Sequence, residues 1–178
     1  MKKFDKLLVP TDLSDPSRRG LHYAFSLAAD EKAEIVVLHV ANEFQAWELF
    51  ADDFGWAGDP RAWPTDRVLA EASLDLHRFL ERDFRLMKNV YRLSKRVVLG
   101  PIASQIAFIA EQERADLIIL SPRRKRTLKH FLAGSITEQV TRMSGCPVLS
   151  VTSPMPSRKW QRGRFRLSFR LSDGLAIP

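Results

Sequence analysis

The chain lacks several features that define common classes of protein. Its single cysteine, Cys146, excludes an intrachain disulfide and a multi-cysteine zinc site. No apolar run approaches the roughly 20 residues that span a bilayer, and no signal-peptide core follows the initiator methionine. The four histidines are not at metal-ligand spacing from one another. These absences predict a soluble cytoplasmic protein with no membrane association and no bound metal.

Signatures of enzyme catalysis are missing as well. The sequence contains no G-x-G-x-x-G, G-x4-G-K-[ST], H-E-x-x-H or G-x-S-x-G motif. His39 lies inside an apolar run, which predicts a hydrogen-bonded core histidine. Cys146 stands before Pro147 at the start of another apolar run, which predicts burial rather than reactivity. We therefore assign no catalytic residue and predict that the chain is not an enzyme.

The positive charge is concentrated near the carboxyl terminus. The net charge is +7, and residues 154–178, with six basic residues and one acidic residue, contribute +5 of it. The high pI of about 9.9 is therefore due mainly to a basic extension, residues 153–178, and not to a basic domain. Within it, residues 164–171 alternate strictly between apolar and polar side chains. This pattern leaves two alternatives open: an added, half-buried strand or a disordered basic tail.

The rest of the chain alternates between strand-like and helix-like segments. Most of the five short apolar runs are continuous and β-branched, as in strands that are buried on both faces. They lie at residues 7–9, 35–38, 97–99, 117–120 and 148–151. The segments between most of them have helical periodicity. The alternation predicts an α/β domain over residues 1–152, with helices on both faces of an open parallel sheet.

Boundary signals predict where several helices begin and end. Asp15-Pro16 is typical of an N-cap followed by a first helical residue, and Ser135 opens an S-x-x-E capping box. Gly145 is placed to end the last helix in a left-handed conformation. Residues 44–66, rich in tryptophan and phenylalanine, predict a long crossover loop that either packs locally or acts as a lid.

Two predicted strand ends carry polar groups suited to a ligand. Ligands of open parallel sheets bind beyond the carboxyl ends of the strands. Thr11 and Asp12 follow the first run, and a basic loop from Ser121 to Ser135 follows the fourth. A helix that starts at Ser135 favours an anion through its free N–H groups and its dipole. The alternative is that Ser135 only caps the helix, which is the commoner role of serine at a helix start.

These segments together resemble the universal stress protein family. The resemblance rests on residues 7–14, 37–40, 100–110, 115–120, 134–140 and 146–151, and it covers most of residues 3–152. It implies an adenine nucleotide alpha hydrolase-like, Rossmann-like fold. The implied sheet has five parallel strands in the order 3-2-1-4-5. The resemblance also implies a homodimer built through the last core strand, residues 146–151, and a role in stress response.

The resemblance also implies a nucleotide site, which this chain matches in part. The nucleotide-binding members carry G-x2-G-x9-G-[ST] after the fourth strand, and here Ser121 and Arg124 replace the first two glycines. The implied contacts with adenine, ribose and phosphate are Pro10, Thr11, Asp12, Val40, Ser121, Arg124, Gly134, Ser135 and Ile136. Because glycines let the backbone approach phosphates closely, their replacement leaves ATP or another adenine nucleotide an open question.

Three functions therefore compete at this point. The first is a homodimeric stress-response protein that acts through an unidentified protein partner. The second is an ATP-binding stress protein with weak hydrolysis. The third is an anion- or nucleic-acid-binding module that uses the basic loop and the extension, and the opposite placement of phenylalanines and arginines on residues 164–171 disfavours nucleic acid.

Overall fold

The fold is given by four stretches of chain. A computed structural model describes residues 4–41, 65–82, 92–121 and 135–152. The strands are β1 (Lys6–Thr11), β2 (Glu34–Ala41), β3 (Arg92–Leu99), β4 (Leu117–Leu120) and β5 (Val148–Ser150). The helices are α1 (Arg18–Glu31), α2 (Thr65–Glu81), α3 (Ile102–Gln112) and α4 (Ile136–Met143).

The five strands form one parallel sheet in the order β3-β2-β1-β4-β5, which confirms the predicted topology. The central strand β1 pairs with β2 in the register Leu7↔Ile35 and with β4 in the register Leu7↔Leu117. Because every pair is parallel, the carboxyl ends of all five strands lie along the same edge of the sheet. We call this the carboxyl edge, and it is where the predicted site residues cluster.

Successive strand residues point to opposite faces, so the sheet supports two separate cores. One core lies under α1 and α2, and the other lies under α3 and α4. Members of the first include Leu7, Val9, Ile35, Val37, Leu21, Phe25, Leu76 and Phe79. Members of the second include Leu8, Val36, Leu38, Ile118, Leu120, Ile106, Ala110 and Val140. Burial on both faces explains why the strands β1, β2 and β4 are continuously apolar in the sequence.

Charged groups join the elements at the opposite, amino edge of the sheet. The Glu113 carboxylate, just after α3, accepts hydrogen bonds from Lys6 Nζ (3.1 Å) and from Arg96 Nε (2.8 Å). Lys6 also lies 3.6 Å from a carboxylate oxygen of Glu34, and Arg92 approaches the same carboxylate at 3.7 Å. Burial by itself raises the pKa of Glu113, but the hydrogen bonds and charges of Lys6 and Arg96 outweigh burial and hold that pKa below its ordinary value.

Three boundaries differ from those predicted. β3 begins at Arg92 rather than at residue 97, because its first half is polar and lies at an edge of the sheet. A short 3-10 turn, Asp15–Ser17, contains Pro16, so α1 begins at Arg18, and Asp15 is not its cap. Gly145 is not left-handed: α4 ends at an extended Ser144, whose N–H donates to Val140 O at 2.9 Å.

Two predictions fall on other parts of the chain. Nearly all of the aromatic-rich segment 44–66 lies outside the described residues, with only its last two residues at the start of α2. The basic extension 153–178 lies entirely outside them. Both predictions therefore stay as they stand.

Candidate functional site at the carboxyl edge

The structure brings most of the predicted contacts to the carboxyl edge. Pro10 and Thr11 end β1, Val40 is the next-to-last residue of β2, and Ser121 follows β4 directly. Ser135 is the N-cap of α4, and Ile136 is its first residue. Arg124 and Gly134 lie outside the described residues, so their predicted roles remain predictions.

The turn between β1 and α1 is held by hydroxyl groups. Thr11, only 7% exposed, has its Oγ1 2.8 Å from Ser17 Oγ and accepts a hydrogen bond from the N–H of Leu13 at 3.1 Å. Ser17 Oγ donates its proton to Ser14 O at 2.7 Å, so in the contact between the two hydroxyls Thr11 Oγ1 donates and Ser17 Oγ accepts. The hydroxyl of Thr11 is thus committed to shaping the turn.

The turn after β1 holds Leu13 in an unfavourable backbone conformation and fixes the position of the Asp12 carboxylate. Leu13 has a φ of 60°, in the left-handed region that costs a non-glycine residue about 1–3 kcal/mol. The hydrogen bond to Thr11 opposes that cost, as does the packing of the Leu13 side chain against the α1–α2 core. Next to it, Asp12 Oδ1 accepts from the Ser14 N–H at 3.1 Å. The exposed Asp12 carboxylate is therefore held in place at the end of the central strand.

His39 supports the same turn from the neighbouring strand. Its side chain is 5% exposed, and its Nδ1 lies 2.9 Å from the Thr11 carbonyl oxygen. Since a carbonyl only accepts, Nδ1 must carry the proton in this hydrogen bond. The prediction that His39 is a hydrogen-bonded core residue is confirmed. Its role is to satisfy a backbone carbonyl at the very end of β1.

Ser121 turns its hydroxyl toward α1. A Cβ built on Gly20 would lie 2.8 Å from Ser121 Oγ, so the hydroxyl occupies the space that a side chain at position 20 would need. This oxygen is buried and has no hydrogen-bond partner within the described part of the chain. The first glycine of the family's phosphate motif is thus replaced by a residue whose side chain packs against a helix.

The start of α4 has the serine cap that the sequence predicted, although the Glu138 carboxylate pairs with Arg142 and not with the cap. Ser135 Oγ accepts from the Glu138 N–H at 3.2 Å, which confirms the cap. The Glu138 carboxylate contacts Arg142 one turn later, as an i, i+4 ion pair. The hydroxyl satisfies one of the free N–H groups of the helix, and the dipole favours negative charge at this end.

The single cysteine lies in surroundings that disfavour its reactive thiolate form. Cys146 is half-buried, and burial, followed by the negative charge of Asp116, raises the pKa of its thiol. Among residues 4–41, 65–82, 92–121 and 135–152, no three histidine, cysteine or carboxylate side chains cluster as metal ligands would. None of the helices in these ranges combines the length and hydropathy required to cross a membrane.

Comparison with known proteins decides the family. The family model described as "Universal stress protein family" matches residues 3–152. The chain belongs to the universal stress protein family. Universal stress protein YxiE of Bacillus subtilis is 30% identical over 150 residues, an alignment that covers 83% of this chain and 99% of YxiE.

Solved universal stress proteins share the fold as well. MJ0577 of Methanocaldococcus jannaschii is 28% identical over 159 residues, covering 83% of this chain and 94% of the relative. Its solved structure superposes with a TM-score of 0.62 over 85% of this chain and 98% of that one, at 27% identity. A universal stress protein described as a complex with cAMP has a TM-score of 0.55 and 22% identity, over 85% of this chain and 98% of that one.

Sequence reasoning missed two residues that shape the site. Ser17 supports the turn through Thr11, and Gly20 makes room for Ser121. A glycine inside an amphipathic helix is a signal that could have drawn attention to Gly20, because helices disfavour glycine unless a neighbour needs the space. No comparable signal marked Ser17, since serine is common near helix starts.

Proposed function

We propose that this universal stress protein acts in stress response as a homodimer, joined along β5, that works by binding a protein partner. The observation that carries the dimer is the open outer edge of β5. β4 pairs with β5 on one side, and no described residue pairs with it on the other. An unpaired edge strand is a template for another strand, and a two-fold axis would let two copies of β5 meet.

Apolar exposure beside this edge supports the proposal. Met143, at the end of α4, is 54% exposed, and Ile136 on the same helix is 40% exposed. Val140, between them on the same stripe of the helix, is fully buried in the α3–α4 core. Because α4 packs beside β5, a second copy joined along β5 would cover these exposed side chains.

Ser150→Pro is expected to convert a dimer into a monomer. Val151 N–H donates to Leu120 O at 2.7 Å, toward β4. Since successive N–H groups of a strand point to opposite sides, the Ser150 N–H points to the open edge, and proline removes that donor without breaking the inner ladder. Sedimentation velocity measures the result, with a wild-type mass about twice 20.4 kDa.

Ser150→Ala is the matched control, because it changes the side chain and keeps the N–H. It should remain dimeric. A Ser150→Pro protein that is folded and still dimeric would place the interface elsewhere. A wild-type monomer at the same concentrations would exclude the homodimer altogether.

We propose adenine nucleotide binding at the carboxyl edge as a second function. The specific observation in its favour is the orientation of Ser121, whose buried hydroxyl packs against Gly20 of α1. Asp12 offers a carboxylate to ribose hydroxyls, and the start of α4 offers N–H groups and a dipole to a phosphate. A protein of the same fold is described as a complex with cAMP.

Titration calorimetry with ATP tests this proposal on protein checked for carried-over nucleotide. Asp12→Asn is expected to weaken ATP binding about fivefold, because a hydrogen bond to a neutral amide is weaker than one to a carboxylate. Asparagine can still accept from the Ser14 N–H, so the turn is kept. Asp15→Asn, on the exposed side of the next turn, should leave the affinity unchanged. Absence of binding by the wild-type protein would refute the nucleotide proposal and leave the dimer proposal standing.

A further inference from the structure

Gly20 lies where α1 passes closest to the residue that follows β4. A Cβ at this position would be 2.8 Å from Ser121 Oγ and 3.6 Å from both Ser121 Cβ and the Ile119 carbonyl oxygen. Only the contact with the hydroxyl is too short for a real Cβ, while the other two are ordinary van der Waals contacts. Ser121 Oγ is therefore the one neighbouring atom that a side chain at position 20 would have to displace.

Glycine is otherwise an unfavourable choice at this point of the chain. Gly20 is the third residue of a 14-residue helix, and glycine is among the residues that helices disfavour most. Its backbone is not in the left-handed region, so its conformation does not require glycine. The space taken by the Ser121 hydroxyl is the remaining reason for glycine here.

Among the described residues, the Ser121 hydroxyl is held by shape rather than by a hydrogen bond. Its oxygen is buried and unpaired among the described residues, which is an unfavourable state for a hydroxyl. Rotation about χ1 would take it out of this notch toward other staggered positions. What keeps it in place is the free volume over Gly20.

We infer that Gly20 is a positioning residue for the candidate nucleotide site. It gives the Ser121 hydroxyl a notch against α1 and so turns that hydroxyl away from the carboxyl edge. The inference rests on the proposed nucleotide binding, and it explains how a serine can stand at the first glycine position of the motif. It also predicts that substitutions at positions 20 and 121 are energetically coupled. A larger residue at position 20 should be tolerated only when the residue at position 121 is smaller than serine.

A double-mutant cycle tests the coupling without any ligand. Gly20→Ala is expected to lower the melting temperature by about 3 °C, because the new methyl group collides with Ser121 Oγ. In a Ser121→Ala background the same change should raise it by about 2 °C, since alanine is the better helix former and the nearest atom is now 3.6 Å away. A sign reversal of this kind is expected only if the two positions share the notch.

Gly145→Ala is the matched control, because a Cβ there meets no atom within 4 Å. Its effect on the melting temperature should be the same in the wild-type background and in the Ser121→Ala background. If Gly20→Ala has the same effect in both backgrounds, the notch does not exist and the inference is overturned.

ATP affinity separates positioning from a purely structural role. Gly20→Ala alone should weaken ATP binding at least threefold by turning the hydroxyl outward, and Ser121→Ala should restore it in the double variant. A reversal in melting temperature with unchanged ATP affinity would overturn the positioning role. If no variant binds ATP, the nucleotide proposal fails and the positioning role fails with it, while the melting cycle still decides whether the notch exists.

Discussion

Replacing His39 with alanine is expected to lower the free energy of unfolding by about 2–4 kcal/mol. Two losses add up at this position. The ring is 5% exposed, so its removal leaves a cavity between β2 and its neighbours. The Thr11 carbonyl, which accepts from His39 Nδ1 at 2.9 Å, loses its side-chain donor. Urea unfolding followed by circular dichroism measures the change.

Two further variants separate these losses. His39→Leu fills most of the volume and removes the donor, so it should cost about 1–3 kcal/mol, the penalty of an unpaired carbonyl. His77→Ala removes an exposed histidine on α2 and should stay within about 0.5 kcal/mol of wild type. If His39→Leu is as stable as wild type, the hydrogen bond to Thr11 contributes nothing and only the packing of the ring matters.

The sheet could be predicted from the sequence because its three inner strands, β2, β1 and β4, are buried on both faces. Where continuous apolar runs such as residues 35–38 alternate with helical segments, they indicate strands of a parallel sheet that are covered on both faces. β3 was predicted too short because its first half, with Arg92, Lys95 and Arg96, lies at an exposed edge. At such an edge the apolar signal disappears, while the hydrogen bonds with β2 continue.

The candidate site was predictable in position and less so in detail. The carboxyl edge follows from topology alone, and the cap at Ser135 follows from a local pattern. The contact between Gly20 and Ser121 joins residues far apart in the sequence, and no local pattern encodes it. The left-handed Leu13 was equally hidden, because the hydroxyl of Thr11 and core packing hold a residue type that would not choose that conformation.

Replacing Glu113 with glutamine is expected to destabilise the protein by about 1–2 kcal/mol near pH ~7. The carboxylate is 13% exposed and joins β1 to β3 through Lys6 and Arg96, but both partners are partly exposed, which limits the loss. Glutamine keeps the size of the side chain and removes its charge. Thermal and urea unfolding at several pH values measure the difference from wild type.

The pH dependence of this difference follows from the lowered pKa of Glu113. In acid the unfolded chain binds a proton at the ordinary pKa of about 4.5, before the folded chain does, so folding becomes less favourable as pH falls. The stabilisation is therefore complete above that value and is lost as pH falls through the lowered pKa. The gap between wild type and Glu113→Gln should close over the same range. Glu111→Gln removes an exposed carboxylate from α3 and is the matched control; at neutral pH it should stay within about 0.5 kcal/mol of wild type. A gap that stays constant from neutral to acid pH would mean that Glu113 contributes through its shape and not through its charge.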